Sequence, residues 1–420
     1  MTYHNAHKFI LNSPDSAEGS SNGSNLKALW GLLENPQRNL KFLLLTGSNG
    51  KTVCSELLMS AYKKSNINVG CLTTTIRADL RSNIHINGSA ISYNEMAKNV
   101  EKIYKIIYEL NRPEAIEKNG SDFLLTKQEI LLTAALLAFR ENECALCIIE
   151  SDHNHSDPTV FLPPPILVAI CGAIPFNCKE DVLMIRSYIT HGIQEIISAP
   201  QDQDAYRMIS DICSSVNCRL TIPAKSELNI VKATLGGSEF SYKGKNYKIG
   251  LCGKFQISNA IFVLEILDRL SARGYGISDE LINESLKTTK IPARFEILSI
   301  MPTIIADSTH SEVAISTVCE SMSEFRDTIG SKIRLCLPDG DLIGKYLKIL
   351  SEQDYYVNKV IVAEGETDSV HSDNFIYCKK TKDLIKRMLD DLEKDEILLI
   401  SGPSSFTLEV RYELLDKLGF

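Results

Sequence analysis

The segment from Thr46 to Thr52, Thr-Gly-Ser-Asn-Gly-Lys-Thr, has the residue types of a phosphate-binding loop. Its glycines allow backbone N–H groups to approach a phosphate chain, and the N-terminus of a following helix adds partial positive charge. Lys51 could reach the β- and γ-phosphates of a nucleotide, and the Thr52 hydroxyl could contact Mg²⁺. The general pattern G-x-x-x-x-G-K-[ST] is not met, because only Ser48 and Asn49 separate the two glycines. The segment predicts a nucleotide site; the alternative is a turn in which glycine and lysine coincide by chance.

The surrounding pattern supplies the elements that such a loop needs. An apolar run from Phe42 to Leu45 precedes it, and a helical pattern from Ser55 to Lys63 follows it. The runs Ala145 to Ile149 and Ile166 to Ile170 are unbroken and apolar, which is typical of parallel strands covered on both faces. Alternating residues on either side of 243–246 predict an antiparallel hairpin. These elements predict an α/β domain with a parallel sheet and a small antiparallel sheet.

The pattern restarts after Ile291-Pro292. Strand-like runs then alternate with helical patterns, which predicts βαβ units and a second, smaller parallel sheet. The runs lie at Thr303 to Ala306, Ile333 to Leu337, Val360 to Ala363 and Ile397 to Ile400. We therefore predict an ATP-binding domain over residues 1–292 and a Rossmann-like C-terminal domain over residues 293–420.

Composition excludes several classes of protein. The chain has 420 residues, a net charge of −8, 44% hydrophobic and 23% charged residues, and these fractions are those of globular proteins. The negative charge argues against a nucleic-acid-coating role. No apolar run reaches the length of about 18 residues that a membrane span needs, and no secretory signal is visible. Twelve scattered cysteines are typical of buried thiols in a reducing compartment, and we expect a cytoplasmic protein.

The form T-G-x-N-G-K-T resembles the loop of the Mur ligase superfamily, and further segments resemble folylpolyglutamate synthases in the same order along the chain. These segments are Asn35-Pro36-Gln37 with Lys41, Ile84-His85-Ile86-Asn87-Gly88 with Ile91-Ser92, Gly253 with Gln256, Asn259 and Ala260, Ile291-Pro292-Ala293-Arg294-Phe295-Glu296, Asp307-Ser308-Thr309-His310, and Ser401-Gly402 with Glu409-Val410-Arg411. The segment from Pro292 to Glu296 resembles the family motif P-G-R-F-E, with Ala293 in place of the glycine. The resemblance covers nearly the whole chain. It implies an ATP-dependent ligase in which a folate carboxylate attacks the γ-phosphate and an acyl phosphate forms. The amine of L-glutamate then displaces phosphate.

The resemblance also implies roles for individual residues. Thr74 and Glu150 match the residues that bind Mg²⁺, and Arg294 and His310 match catalytic positions. The implied ATP-binding residues are Gly47, Ser48, Asn49, Gly50, Lys51, Thr52, Asn259, Arg294, Asp307 and His310. Taken from the residues alone, Thr74 could equally be a β-branched strand end. For Glu150 the alternative, which the residues favour less, is a solvated strand terminus. We expect a monomer, although the sequence does not fix the oligomeric state.

The chain departs from the resembled pattern after Glu150. The family stretch E-V-G-L-G-G-R-x-D-A-T is replaced by a segment that keeps Asp157 and Thr159 and loses the glycines; its His153 and His155 could bind metal or lie in a solvated loop. Asn177 is the nearest match to a metal-binding histidine, and no lysine lies near Tyr188 where the family carbamylates one. The first magnesium site is therefore expected and the second is in doubt. The same chemistry on another acid, or a nucleotide-binding protein without catalysis, are the alternatives, and neither the acceptor acid nor dihydrofolate synthase activity follows from the sequence.

Overall fold

The computed structural model describes residues 1–15, 23–47, 49–74, 79–119, 122–151, 157–174, 186, 189, 192–309, 311–363, 370–372 and 374–419. The chain forms two compact units. Unit 1 contains residues 1–224 and 261–285, and unit 2 contains residues 225–260 and 286–420. The assignment of residues 1–292 and 293–420 to two domains stays a prediction.

Unit 1 is built on a sheet of eight strands. In spatial order the strands are Ser89–Ala90, Ile84–Ile86, Val69–Leu72, Leu146–Glu150, Phe42–Thr46, Leu167–Ile170, Glu195–Ser198 and Arg219–Thr221. The six strands from Val69–Leu72 onward pair in parallel, whereas the two at the other edge pair antiparallel. Every residue of the three central strands is buried, because helices cover both faces. The predicted parallel sheet is confirmed.

The helices of unit 1 follow the apolar patterns of the sequence. The helix Tyr93–Leu110 buries Met96, Val100 and Ile103 on one face, as their spacing predicts. A capping box between Thr126 and Glu129 begins the buried helix Lys127–Glu141. The remaining helices are Tyr3–Asn12, Ser24–Leu32, Lys51–Tyr62, Pro113–Asn119, Gln203–Ser215 and Asp279–Thr288, with short helical turns at Leu80–Asn83, Pro158–Phe161 and Ser271–Tyr275.

One buried carboxylate ties the later part of unit 1 to its sheet. Glu195 begins the strand Glu195–Ser198 and is 6% exposed. Arg273 Nη2 lies 2.8 Å and Arg269 Nε 3.1 Å from its carboxylate, and Arg219 Nε lies at 3.8 Å. A charged first residue hides this strand from a search for apolar runs, and we did not predict it.

Unit 2 contains two sheets. The predicted hairpin is confirmed by the antiparallel strands Gly237–Tyr242 and Lys245–Ile249. A third strand, Leu228–Thr234, pairs with the first of them and was not predicted, because its residues are largely exposed and show no apolar run. The helix Lys254–Leu270 follows and contributes residues to both units.

The larger sheet of unit 2 has seven strands and confirms the predicted second parallel sheet. Their spatial order is Glu296–Ile300, Thr303–Asp307, Glu396–Ser401, Lys332–Pro338, Tyr356–Ala363, Phe375–Cys378 and Val370–Ser372. The two edge strands are antiparallel and the inner pairs are parallel. Neighbouring residues of one strand pack into different apolar clusters, such as Leu399 in one and Leu398 in the other, so both faces of the sheet are covered. The helices of unit 2 are Glu312–Ser323, Arg326–Ile329, Leu342–Glu352, Thr381–Leu389 and Ser404–Leu418.

Two observations bear on partners of the chain. Among the described residues, no helix is both long and apolar enough to cross a bilayer. The eleven described cysteines are buried free thiols, and Cys144 and Cys147 belong to no group of potential metal ligands in the described part of the chain.

Candidate nucleotide and magnesium site

The strand register of unit 1 gathers the predicted site residues at one edge of the sheet. Leu45 pairs with Glu150, and Leu72 pairs with Ile149 on the other side of the same strand. Thr46 pairs with Ile170 of the next strand. Because these strands run in parallel, their carboxyl ends meet, and this edge is where open α/β sheets bind ligands.

The phosphate-binding loop has a backbone that only glycine adopts without strain. Gly47 has a φ of +111°, and a Cβ atom there would lie 1.9 Å from the carbonyl oxygen of Cys171. Gly50 has a φ of +86° and precedes the helix Lys51–Tyr62. Among the described residues no side chain caps that helix, so its first turn presents backbone donors of the kind that bind phosphate. Ser48 lies outside the described residues.

Lys51 folds back over the loop that it follows. Its Nζ donates a hydrogen bond to the carbonyl oxygen of Gly47 at 2.8 Å, and the residue is half-buried. Thr52 is also half-buried, whereas Asn49 is exposed. The arrangement holds one positive charge at the mouth of the loop, where a phosphate chain would neutralise it.

Glu150 is almost completely buried at the end of its strand. It is 1% exposed, so the solvated strand terminus considered above is wrong. One carboxylate oxygen accepts a hydrogen bond from Ser55 Oγ at 2.5 Å. Ser55 is fully buried one turn after Thr52, and sequence reasoning missed it, since one serine in a helical pattern carries no recognisable signal.

Thr74 follows the neighbouring strand and is half-buried. Both backbone groups of the residue before it are hydrogen-bonded. Thr73 N donates to the carbonyl oxygen of Asn83 at 2.9 Å, and Asn83 Nδ2 donates to the carbonyl oxygen of Thr73 at 2.9 Å. Asn83 is fully buried and was also missed by sequence reasoning.

Two thiols pack beside the loop. Cys54 follows Lys51 within the same helix, and Cys171 supplies the carbonyl that faces Gly47. A hydrogen bond with the Cys171 thiol, together with burial, raises the pKa of Cys54. Cys54 is therefore a neutral packing residue and places no second negative charge next to Glu150.

The segment that departs from the family pattern is anchored where it rejoins the described structure. Asp157 accepts a hydrogen bond from Ser151 Oγ at 2.6 Å and another from Thr159 N at 2.8 Å. All three residues are buried. His153 and His155 lie outside the described residues, as do Asn177 and Tyr188, so the second magnesium site stays in doubt.

In unit 2, Arg294 lies in a tightly bonded loop, Ile291 to Glu296. Ala293 and Phe295 have φ values of +54° and +49°. Arg411 donates to both oxygens of Glu296, at 2.6 and 2.7 Å, and Glu296 in turn accepts from Ala293 N at 2.9 Å. Arg294, which lies between the two unusual residues, donates from Nη1 to Ser308 O at 3.3 Å.

Asp307 is the buried partner of this loop. It accepts hydrogen bonds from Phe295 N at 2.7 Å and from the Thr309 hydroxyl. Burial raises the pKa of Asp307. Asn259 is half-buried in the helix Lys254–Leu270 and donates to Gln256 Oε1 at 3.0 Å. His310 lies outside the described residues, and the nucleotide contacts predicted for Asn259, Arg294, Asp307 and His310 stay predictions.

Known proteins resemble the chain over most of its length. No protein-family model matches the chain. The chain is 22% identical over 414 residues to a dihydrofolate synthase/folylpolyglutamate synthase of Bacillus subtilis, covering 93% of this chain and 94% of that protein. It is 21% identical over 395 residues to a UDP-N-acetylmuramoyl-L-alanyl-D-glutamate–2,6-diaminopimelate ligase of Clostridium acetobutylicum, covering 88% and 74% of the two proteins.

A solved structure has the same fold over almost the full length. The complex of a folylpolyglutamate synthase with AMPPCP and folate matches with a TM-score of 0.80 at 17% identity, covering 99% of this chain and 100% of that one. Over most of its length the chain resembles enzymes of the Mur ligase superfamily. Within that superfamily it is most like the folylpolyglutamate synthases.

The residues at the sheet edge fit magnesium and a nucleotide. A buried carboxylate and a threonine hydroxyl are hard oxygen donors, which Mg²⁺ prefers. Phosphate oxygens would complete its coordination, and Lys51 with the free helix N-terminus suits those phosphates. Glu150 and Thr74 are the residues of this chain that would hold the ion.

Proposed function

We propose that the chain is an ATP-dependent ligase that adds L-glutamate to a folate. One observation carries the proposal. The lysine-bearing phosphate loop and the buried carboxylate of Glu150 end neighbouring parallel strands of one sheet. The full-length similarity to folylpolyglutamate synthases supports the choice of substrates.

The reaction conserves its atoms and charges in two steps. A carboxylate oxygen of the folate attacks the γ-phosphorus of ATP, and ADP leaves. The amine nitrogen of glutamate then attacks the acyl carbon of the acyl phosphate, phosphate leaves, and the amine loses a proton. Bound Mg²⁺ would neutralise charge on the phosphates as they are transferred.

This chain's own residues bind and orient the nucleotide. The loop from Gly47 to Gly50 and the helix that follows present backbone N–H groups to the phosphates, and Lys51 adds a mobile positive charge. Most of the catalytic effect in such chemistry comes from positioning and charge neutralisation. In unit 2, Arg294 and His310 are proposed catalytic contacts, and Asn259 and Asp307 are proposed nucleotide contacts.

The test is an assay of ligation with a panel of acceptor acids. The protein is incubated with ATP, Mg²⁺, L-glutamate and either tetrahydrofolate, dihydropteroate or a non-folate carboxylic acid, and both phosphate release and product mass are measured. We expect a mass gain of one glutamate on tetrahydrofolate. Lys51→Ala should abolish ATP binding, and Lys63→Ala, an exposed lysine at the end of the same helix, should leave ATP binding unchanged.

A second candidate is the same chemistry on a different acid. It is favoured by the loss of the family glycines in the segment after Glu150. Product formed only with a non-folate acid would establish it and exclude the first candidate. ATP binding without product on any acid would instead favour a nucleotide-binding protein without catalysis. A monomeric state and a cytoplasmic location stay predictions.

A further inference from the structure

Ser55 donates a hydrogen bond to the Glu150 carboxylate, and this bond does not require a metal ion. Ser55 Oγ lies 2.5 Å from Glu150 Oε1 in the buried interior of unit 1. Ser55 Oγ also lies 3.1 Å from the carbonyl oxygen of Thr52. A hydroxyl has a single hydrogen, and the contact with Glu150 is the shorter of the two. The serine hydrogen therefore belongs to Glu150, and the helix that begins at Lys51 holds the carboxylate directly.

Asn83, the last residue of the helical turn Leu80–Asn83, holds the backbone next to Thr74 in a comparable way. The antiparallel ladder between Val69–Leu72 and Ile84–Ile86 ends at the pair Leu72 and Ile84. Beyond it, Thr73 N still donates to Asn83 O at 2.9 Å, and the Asn83 side chain adds a bond from Nδ2 to Thr73 O at 2.9 Å, with Thr73 Oγ1 at 3.3 Å. This bond fixes the peptide plane that leads into Thr74. It therefore sets the direction in which the Thr74 hydroxyl leaves the strand.

We infer that Ser55 and Asn83 are positioning residues for the magnesium site, Ser55 through Glu150 and Asn83 through Thr74. The inference rests on the proposed nucleotide and magnesium site. Neither residue touches the metal. Each holds one ligand in place before the ion arrives, so that binding does not have to order that ligand, and partners of metal ligands commonly contribute 10- to 100-fold in affinity.

The primary test measures metal binding without turnover. Mn²⁺ is titrated into the protein saturated with AMPPCP, and free Mn²⁺ is read by electron paramagnetic resonance. We expect Ser55→Ala to weaken Mn²⁺ binding by about 10-fold or more. The affinity for AMPPCP in the presence of EDTA should stay within about twofold, because the loop and Lys51 are untouched.

The matched control for Ser55 is Ser198→Ala. Ser198 is as deeply buried as Ser55 but lies in a strand of unit 1, and its hydroxyl donates to a backbone carbonyl, that of Ala199, at 2.8 Å. Loss of Mn²⁺ affinity in both variants to the same degree would indicate general loosening of the sheet and would overturn the inference for Ser55. Ser55→Cys, which keeps a weak donor, should lie between wild type and Ser55→Ala.

Asn83 is tested with its own control. Asn83→Ala should also weaken Mn²⁺ binding, whereas Asn99→Ala removes an equally buried asparagine from the helix Tyr93–Leu110 and should leave it unchanged. The double variant Ser55→Ala/Asn83→Ala should lose about the product of the two single effects, since the two residues act through different ligands. If both Ser55 variants failed to fold, as judged by circular dichroism, the Asn83 pair alone would decide.

The test separates this inference from the proposed function. If the wild-type chain binds Mn²⁺ and AMPPCP but ligates no folate, and the variants lose Mn²⁺ affinity, the positioning role stands and the folate assignment fails. If the wild-type chain ligates folate and both alanine variants bind Mn²⁺ as tightly as wild type, the function stands and the positioning role is wrong.

Discussion

Two loops of this molecule contain residues with positive φ angles, and the two backbones are stabilised in different ways. The phosphate loop of unit 1 has positive φ angles at Gly47 and Gly50, and the loop Ile291 to Glu296 of unit 2 has them at Ala293 and Phe295. Glycine adopts such angles at no steric cost, whereas a residue with a Cβ atom loses about 1–2 kcal/mol. The glycines of the first loop therefore adopt these angles without strain.

The second loop is held by carboxylates. Asp307 binds Phe295 N, and Glu296 binds Ala293 N while Arg411 binds Glu296 from outside. A strained backbone persists only where its surroundings over-determine it. We therefore expect the stability of the first loop to be sensitive to added side-chain bulk, and that of the second to the loss of its polar partners.

The largest effect is expected from bulk in the first loop. In Gly47→Ala, the new Cβ would lie 1.9 Å from the carbonyl oxygen of Cys171 at a φ that alanine avoids. We expect the free energy of unfolding to fall by about 3 kcal/mol and AMPPCP binding to be lost. Urea unfolding and calorimetric titration measure the two. Gly31→Ala is the control, because a Cβ there meets nothing within 4 Å in a helix, and it should be neutral or stabilising.

The next effect is expected from loss of the external restraint on the second loop. Arg411→Met keeps the aliphatic stem and leaves the partly buried Glu296 without its bidentate partner. We expect a loss of about 1–2 kcal/mol in the free energy of unfolding. Arg112→Met breaks an exposed ion pair with Glu109 and should cost nothing measurable. Equal losses in the two variants would contradict the restraint.

The contribution of the second loop to stability should depend on pH, because the loop is held by Asp307, a carboxyl with a raised pKa. The unfolded Asp307 carboxyl ionises near 3.8, and the folded one ionises at higher pH because it is buried. Between these two pKa values the folded state binds more protons, so stability falls as pH rises. Asp307→Asn should remove that loss, and its stability relative to wild type should increase from pH 4 upward.

Urea unfolding at several pH values checks this prediction. A relative stability of the Asp307→Asn variant that is flat or falls with rising pH would contradict it. The asparagine can still accept from Phe295 N and can donate to the Thr309 hydroxyl, so the loop keeps its bonds while it loses the titration.

The smallest effect is expected from removing strain in the second loop. Ala293→Gly restores the glycine of the resembled P-G-R-F-E motif at a φ of +54°. The gain from relieved strain is offset by the larger entropy of the unfolded chain, so we expect a net change of at most about 1 kcal/mol. Combined with Arg411→Met, however, Ala293→Gly should recover part of the lost stability. A double variant no more stable than Arg411→Met alone would show that strain is not what Arg411 opposes.

Elements that follow a hydrophobic pattern could be predicted from the sequence, whereas residues whose role depends on a single tertiary contact could not. The strands around the phosphate loop are apolar runs, and Glu150 could be placed at their carboxyl edge because parallel strands end together. Ser55 and Asn83 form no pattern, since their roles depend on what the fold brings near them. Nothing in Ala293 or Phe295 themselves indicates a left-handed backbone, although the glycine of the resembled motif is a signal for the first of them.

The discontinuity of unit 1 has a consequence for synthesis on the ribosome. Glu195 is bound by Arg273, which follows it by 78 residues, and the residues between them include a stretch of unit 2. At about 5–20 residues per second, roughly 4–16 s pass between the synthesis of the carboxylate and that of its partner. Until Arg269 and Arg273 have been synthesised, Glu195 at the start of the strand Glu195–Ser198 cannot form its ion pairs with them. Nascent chains halted before Arg269 should therefore be more sensitive to protease at this edge of the sheet than chains released after Ser285.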